Sequence, residues 1–295
     1  MTSTTEPGPD APSGAGPSKI PIDLTGVSET MLATLRARAE DAAKPAPFLG
    51  DTWAKTVLDQ LDWHHPPTKS DYYFNAFVVG RGKLLDRWTC EFLAEHAADD
   101  GGVTVLHLAC GLDSRALRID DWRTRARWID VDVPEVMALR RRVLPDLPEG
   151  GDYRMLQADV TSADWLEQIP ADRPTLVIME GLLMYLEWDD IVALLRRICD
   201  RFPSGQILAD VLGRRFIARQ SELEVISSTG AVMKTGIDSA SELAAAHEKL
   251  RVREETGPWN RMGPGLFPWY LRLVMYILSW MPRFRSVNSD MRLDF

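Results

Sequence analysis

The residues best placed to do chemistry stand where apolar runs end. The run at 103–109 stops at Cys110-Gly111, and twenty-one residues beyond Gly111 comes Asp132, at the end of the next run. A glycine at a strand end lets the backbone turn sharply and approach a ligand with no Cβ in the way. A carboxylate closing the following strand can accept both hydrogen bonds of a ribose diol. Three more acids fall at equivalent places: Asp159 after a third run, Glu180 after a fourth and Asp210 within a fifth. In an open α/β sheet the ligand crevice lies beyond the carboxyl ends of the strands, so these acids converge. A ligand carrying ribose hydroxyls, an adenine amine and an ammonium offers donors to all of them. The full G-x-G-x-x-G is absent, which speaks against a dinucleotide and its pyrophosphate. Asp159 has a plainer reading as a cap for Val160-Thr161-Ser162. Glu180, joined to Gly181 and then four apolar or aromatic residues, is poor sequence for a surface.

Dedicated acid–base machinery is sparse. Of the five histidines, His107 lies inside a strand and reads as structural, and His96 and His247 sit on polar helices. His64-His65, just before Pro66, can either reach a pocket or finish a helix. Arg214-Arg215 can steer an anion or simply be solvated, and Arg140–Arg142 reads as a solvated helix face. Cys90, Cys110 and Cys199 are widely spaced, odd in number and set in apolar runs, which suits buried small hydrophobes; neither a disulfide framework nor a metal site is expected.

A sheet must position these residues. Runs at 103–109, 127–131, 152–157, 174–179 and 205–211 read as strands, separated by helical stretches at 114–117, 134–143, 163–168 and 189–201. Strands alternating with helices at this spacing form a parallel sheet covered on both faces. Candidates near 250–255 and 286–295 would complete it as an antiparallel edge. The expected class is α/β: a Rossmann-like, doubly wound, mostly parallel seven-stranded sheet with an N-terminal helical cap and a C-terminal helical lid. The expected division is a disordered tail at 1–20, the cap at 21–100, the ligand-binding core at 101–212 and the lid or substrate region at 213–295. Helices are expected there at 213–228, 240–250 and 266–280. Trp259, Trp269 and Trp280 suit a lid over an apolar ligand, with ordinary packing as the plain alternative.

Composition bounds the rest. The 295 residues are 45% hydrophobic and 26% charged, which is globular. With 34 Lys and Arg against 43 Asp and Glu the net charge is −9, against a dedicated nucleic-acid binder. Residues 1–18 hold four Pro, three Gly, three Ser and three Thr, with no apolar core and no early Lys or Arg, unlike a targeting signal. The apolar stretch at 267–280 is 14 residues and is interrupted by Pro268 and Arg272; a bilayer span needs about 20. A cytoplasmic protein without a membrane partner is expected.

Several segments together carry a resemblance: 105–115 (Val-Leu-His-Leu-Ala-Cys-Gly-Leu-Asp-Ser-Arg), 128–136 (Trp-Ile-Asp-Val-Asp-Val-Pro-Glu-Val) and 180–186 (Glu-Gly-Leu-Leu-Met-Tyr-Leu). With 24–30, the Arg81…Asp86…Phe92-Leu93 helix and 234–238, they resemble the leucine carboxyl methyltransferase family in its bacterial polyketide O-methyltransferase branch, over roughly residues 22–295. The resemblance implies a class I methyltransferase with S-adenosylmethionine as cofactor and S-adenosylhomocysteine as product. By position it implies that Arg81 grips the methionine carboxylate, bidentately as a guanidinium can, and that Asp132 holds the ribose. Gly111 and the Ala109 backbone pass beneath the methionine part, Asp159 and Val160 face adenine, and Glu180 lies beside the methionine end. Cys110, Asp113, Val133 and Gly181 complete the implied set. The sequence departs from the family with Ala109 for a first glycine, Cys110 for a smaller residue, and Thr161 where the phosphatase-methylating branch has Arg. The last points away from methylation of a protein C-terminal leucine.

A carboxylate acceptor is already ionised at pH 7 and needs no base, whereas a phenol titrates near 10 and needs help. Tyr185 leads the acceptor-pocket candidates, ahead of His64, His65 and Arg214. The expected activity is O-methylation of a carboxylate or phenol on a small specialised metabolite such as a polyketide, by a monomer or homodimer. Two rivals share the fold: elimination or cyclisation promoted by the sulfonium's field, and a non-catalytic binding protein. Retention of Arg81, Asp132, Asp159 and Glu180 argues against the second.

Overall fold

The computed structural model describes residues 19–22, 27–63, 71–120, 122–145, 152–222, 231–257, 266–280 and 288–295. Two short strands, β1 (Ile20–Pro21) and β2 (Leu61–Asp62), pair in parallel apart from the main sheet. In that sheet β3 (Val103–Leu108), β4 (Ala126–Asp132) and β6 (Thr175–Met179) are buried at every residue. A parallel strand covered on both faces has no solvent side to alternate with, so these segments are largely apolar, and the polar residues they do hold, among them His107, Arg127 and Asp130, are buried as well. β5 (Asp152–Gln157) and β7 (Gly205–Leu212) flank them in parallel. β8 (Arg251–Thr256) and β9 (Asn288–Asp294) close the sheet in antiparallel fashion, with a register shift between Val252 and Glu254. The seven strands run β5-β4-β3-β6-β7-β9-β8. This is the expected Rossmann-like, mostly parallel sheet. Its order reverses between β3 and β6, so a crevice opens beyond their carboxyl ends.

Helices cover both faces. On one, α6 (Trp188–Arg201) buries Ile191, Leu194, Leu195, Ile198 and Cys199, an i, i+3, i+4, i+7, i+8 stripe against the sheet. On the other, the 25-residue α3 (Asp71–Glu95) packs Leu84, Leu85, Trp88 and Phe92 against Trp122, Trp128 and the strands. Ahead of it lie α1 (Val27–Ala42) and α2 (Thr52–Gln60). Asp51 caps α2 by accepting from the Ala54 N–H at 3.1 Å, and the buried Asp41 carboxylate takes the N–H groups of Phe48, Leu49 and Gly50 to close the intervening loop. Two further short helices flank the strands, α4 (Arg115–Arg118) and α5 (Pro134–Val143). Of the tail expected at 1–20, residues 1–18 lie outside the described residues, whereas Ile20 pairs with Leu61 as the first residue of β1.

Three helices come out shorter than the periodicity predicts. In place of one at 213–228, α7 (Arg214–Ile217) is followed by a 3-10 turn at Gln220–Glu222, and 223–230 lie outside the described residues. The Gln220 amide bonds both backbone groups of Met233, which draws the chain across rather than along a helix axis. In place of 240–250, α8 (Ala240–Ala244) gives way to turns: His247 Nδ1 accepts the Lys249 N–H, and Lys249 Nζ donates to the Cys199 carbonyl. Local side-chain bonds of this kind compete with helix continuation. The last, α9 (Trp269–Ser279), starts only after Pro268. Among the described residues no helix is long and apolar enough to cross a membrane. Cys110 and Cys199 are buried and Cys90 is half-buried, all three as free thiols.

Candidate active site

The turn after β3 is built from two left-handed residues, Ala109 (φ 49°) and Gly111 (φ 52°). At Gly111 a side chain has no room: an added Cβ would lie 2.9 Å from both Cγ and Sδ of Met31, which α1 lays across the turn. The Asp132 carboxylate, at the end of β4, accepts from the Gly111 N–H at 2.7 Å and from the Val133 N–H at 2.8 Å. Burial pushes this carboxyl up from the ordinary range, against the pull of those two donors.

The other side of the turn corrects an expectation. Arg140 is not solvated: it is 2% exposed, donates to the carbonyls of Gly111 (2.9 Å) and Asp113 (2.7 Å), and pairs with Asp130, which also accepts from the Tyr153 hydroxyl at 2.6 Å. Arg141 and Arg142 are exposed as expected. Carbonyls held by Arg140 and an N–H held by Asp132 leave the turn little freedom.

A second charged layer lies over the ends of β6 and β7. Arg81 reaches from α3 to Glu180 (Nε to Oε1, 3.0 Å) and Asp210 (Nη1 to Oδ2, 2.6 Å). The other oxygen of Glu180 accepts from Arg115 at 2.6 Å, and Arg115, fully buried, also holds Asp86 at 2.7 Å. Asp210 in turn accepts the N–H of Gly181 at 2.6 Å, where the chain takes φ +68°. Burial alone would raise the Glu180 carboxyl; Arg81 and Arg115 outweigh it and hold the group down to about 2. Asp113 is held well below its ordinary range despite burial, by Arg115, Arg118 at 2.5 Å and Arg38 at 2.9 Å.

These residues surround one cavity of about 660 Å³. Arg81, Ala109, Cys110, Gly111, Asp113, Asp132, Val133, Asp159, Val160, Glu180, Gly181 and Tyr185 all line it. Asp159 is exposed at the rim, its carboxylate accepting the N–H (2.9 Å) and hydroxyl (2.7 Å) of Thr161. Much of the rest of the wall is apolar and aromatic, including Tyr73, Phe77, Met184, Phe216 and Met233, with Arg38, Glu135 and Asp210 among its charged members. Burial raises the Tyr185 phenol, and its hydrogen bond with Thr30 only partly offsets this. Arg214 is a correction: its guanidinium is committed to Asp238 at 2.9 Å and to Glu242, and it is not among the lining residues. His64 and His65 lie outside the described residues. His107 is buried beside Asp130 at 3.4 Å and Arg115 at 3.3 Å and is among the residues that line the cavity. Among the described residues no group of three or more His, Cys, Asp or Glu could hold a metal ion. The sequence assigns no role to Arg115, Asp86 or Arg38; Arg115 and Asp86 stand inside matching segments and carry a signal, Arg38 none.

A glycine turn and an acid at the switch point of a doubly wound sheet, with an arginine fork above them, define the class of protein. The family model for leucine carboxyl methyltransferase matches residues 29–199, and the chain belongs to that family. It is 41% identical over 234 residues to the tetracenomycin polyketide synthesis O-methyltransferase TcmP of Streptomyces glaucescens, covering 79% of this chain and 84% of that protein. It is 33% identical over 303 residues to the S-adenosyl-L-methionine-dependent methyltransferase dpfgK of Gibberella zeae, covering 96% and 100%. A crystal structure from Thermobifida fusca, of a protein assigned to the methyltransferases, shares the fold at a TM-score of 0.54 with 16% identity, over 91% of this chain and 94% of that one.

Proposed function

We propose that this chain is an S-adenosylmethionine-dependent O-methyltransferase whose acceptor is a carboxylate on a small, largely apolar molecule of the polyketide type. The observation that carries the reading is that one cavity is lined both by charged groups, with Asp132, Arg81 and Glu180, and by apolar and aromatic ones, with Tyr73, Phe77, Met184 and Tyr185. The residues fit the cofactor. Gly111 offers a floor without a Cβ, and Asp132 keeps lone pairs for a ribose diol beyond the two N–H groups it already accepts. Arg81 with Glu180 and Asp210 presents a cation and two carboxylates side by side, the complement of an amino acid's carboxylate and ammonium. S-adenosylmethionine supplies a methyl group carried on a sulfonium.

The chain's own part is positioning and exclusion of water. The 101–212 core gives the floor, the 21–100 cap brings Arg81, Tyr73 and Phe77, and the 213–295 region adds Phe216 and Met233. An apolar pocket strips water from an acceptor oxygen and holds it near the methyl group, which is where such a displacement gains rate. Tyr185, its phenol raised by burial, stays protonated at neutral pH; it can donate a hydrogen bond but cannot take a proton. That favours a carboxylate, already ionised, over a phenol. The relative named for tetracenomycin polyketide synthesis supports the acceptor class.

Calorimetric titration with S-adenosylmethionine tests the reading. Micromolar binding is expected, weakened about tenfold or more in Arg81→Ala and Asp132→Ala, each of which removes a charge-assisted contact. No binding to the unaltered protein would sink it.

A further inference from the structure

Asp159 has two carboxylate oxygens, and the fold occupies one of them. Its Oδ1 accepts the N–H of Thr161 at 2.9 Å and the Thr161 hydroxyl at 2.7 Å. Among the described residues no donor reaches Oδ2. The backbone around it is pinned as well. The Asp159 carbonyl accepts the Ser162 N–H at 3.0 Å and the Ser162 hydroxyl at 2.8 Å. Arg197 of α6 donates to the carbonyls of Thr161 at 2.9 Å and Val160 at 3.3 Å, and Trp165 Nε1 reaches the Val160 carbonyl at 3.3 Å. Val160 is buried in the core, whereas Asp159 stands exposed and lines the cavity. A cap for this turn needs one oxygen only. The other remains for a ligand.

Strand order says which part of a ligand comes to it. The parallel strands stand in the order β5-β4-β3-β6-β7, and their carboxyl ends carry Asp159, Asp132, Gly111, Glu180 and Asp210 in that order. A ribose on Asp132, with the amino-acid part against Arg81, Glu180 and Asp210, leaves the purine on the β5 side. An ionised carboxylate accepts hydrogen bonds and donates none. An oxygen there favours a purine with an amine at C6 over one with an oxo group. An aspartate at an exposed position has a broad, soft χ2. Two donors from Thr161 on Oδ1 remove that freedom and fix where Oδ2 lies.

We propose that Thr161 is a positioning residue for the nucleobase: it holds Asp159 so that Oδ2 accepts the adenine amine, and the chain thereby selects 6-amino over 6-oxo purines. The inference rests on the S-adenosylmethionine reading and deepens it at the base. It also gives Thr161 work that the fold alone does not ask of it, since the backbone N–H already satisfies the turn and the hydroxyl bond comes in addition.

Calorimetric titration of the full chain with two ligands tests it: S-adenosylhomocysteine and its deaminated counterpart S-inosylhomocysteine, in which an oxo group replaces the amine. The parent is expected to prefer the adenine form about tenfold or more. Asp159→Asn, whose amide can donate to an oxo group, should lose most of that preference. Thr161→Val keeps the backbone N–H bond and loses the hydroxyl; it should lower the preference about threefold, and Thr161→Ser should restore it. A turn that serves the fold alone would shift the melting temperature, or both affinities together, and leave their ratio unmoved. An unchanged ratio in Thr161→Val therefore overturns the proposal, while binding of S-adenosylhomocysteine by the parent leaves the cofactor reading standing. Equal binding of the two ligands by the parent overturns it as well. If the parent binds neither, the cofactor reading falls and takes this inference with it.

Discussion

Arg140 lies four residues after Val136 and three before Val143, on the inward stripe of α5, where it meets Asp130 and the carbonyls of the β3 turn. The run Arg140-Arg141-Arg142 hides that placement, because two of the three are solvated as a basic run suggests. Replacing it by Met leaves Asp130 buried without its cation, a change that costs about 3–5 kcal/mol. Urea unfolding should show that loss; a drop under about 1 kcal/mol would mean the turn is held by Asp132 alone. Glu180 gives a pH signature. Its folded carboxyl titrates near 2 against an ordinary value of 4.5. The stability it adds is therefore fully present above about pH 4.5 and drains away as the pH falls toward 2, on the order of 3 kcal/mol in all. Glu180→Gln should be less stable than the parent near neutral pH, and the two unfolding curves should draw together only as the pH falls toward about 2. Parallel curves at every pH would remove Glu180 from that role. Gly111, Asp132 and Glu180 were legible in the sequence because each ends an apolar run. Arg115 and Arg38 reach partners 65 and 74 residues away, separations no local pattern records.

Elements that bury both faces announce themselves: β3, β4 and β6 match their apolar runs to within a residue or two at either end. The helices after β7 do not, because Gln220, His247 and Lys249 bond to backbone and divert the chain, and a hydropathy period is blind to such bonds. Nor does the sequence show that α1 roofs the β3 turn through Met31. A double-mutant cycle measures that contact. Gly111→Ala should cost about 1–2 kcal/mol for a left-handed alanine, and more for displacing Met31. Met31→Ala should then be less costly beside Ala at 111 than in the parent. Additive effects would show that α1 yields without strain. That the same turn already carries Ala109 at φ 49° indicates the backbone part is survivable.

At the scale of the molecule, alternation of strand and helix was enough for the doubly wound sheet and its crevice, since short right-handed crossovers leave few other arrangements. It was not enough to place the cap, whose α3 delivers Arg81 to carboxylates 99 and 129 residues further on. One consequence lies in the strand order. β9 pairs with β7 along 206–212 and stands between it and β8, yet it is the last of the seven to leave the ribosome. From the emergence of β7 until β9 follows it, the nascent sheet therefore presents the edge of β7 with its ladder unmade, and an unpaired edge invites pairing with another chain. Yield of the native protein should depend on how quickly translation delivers that final strand.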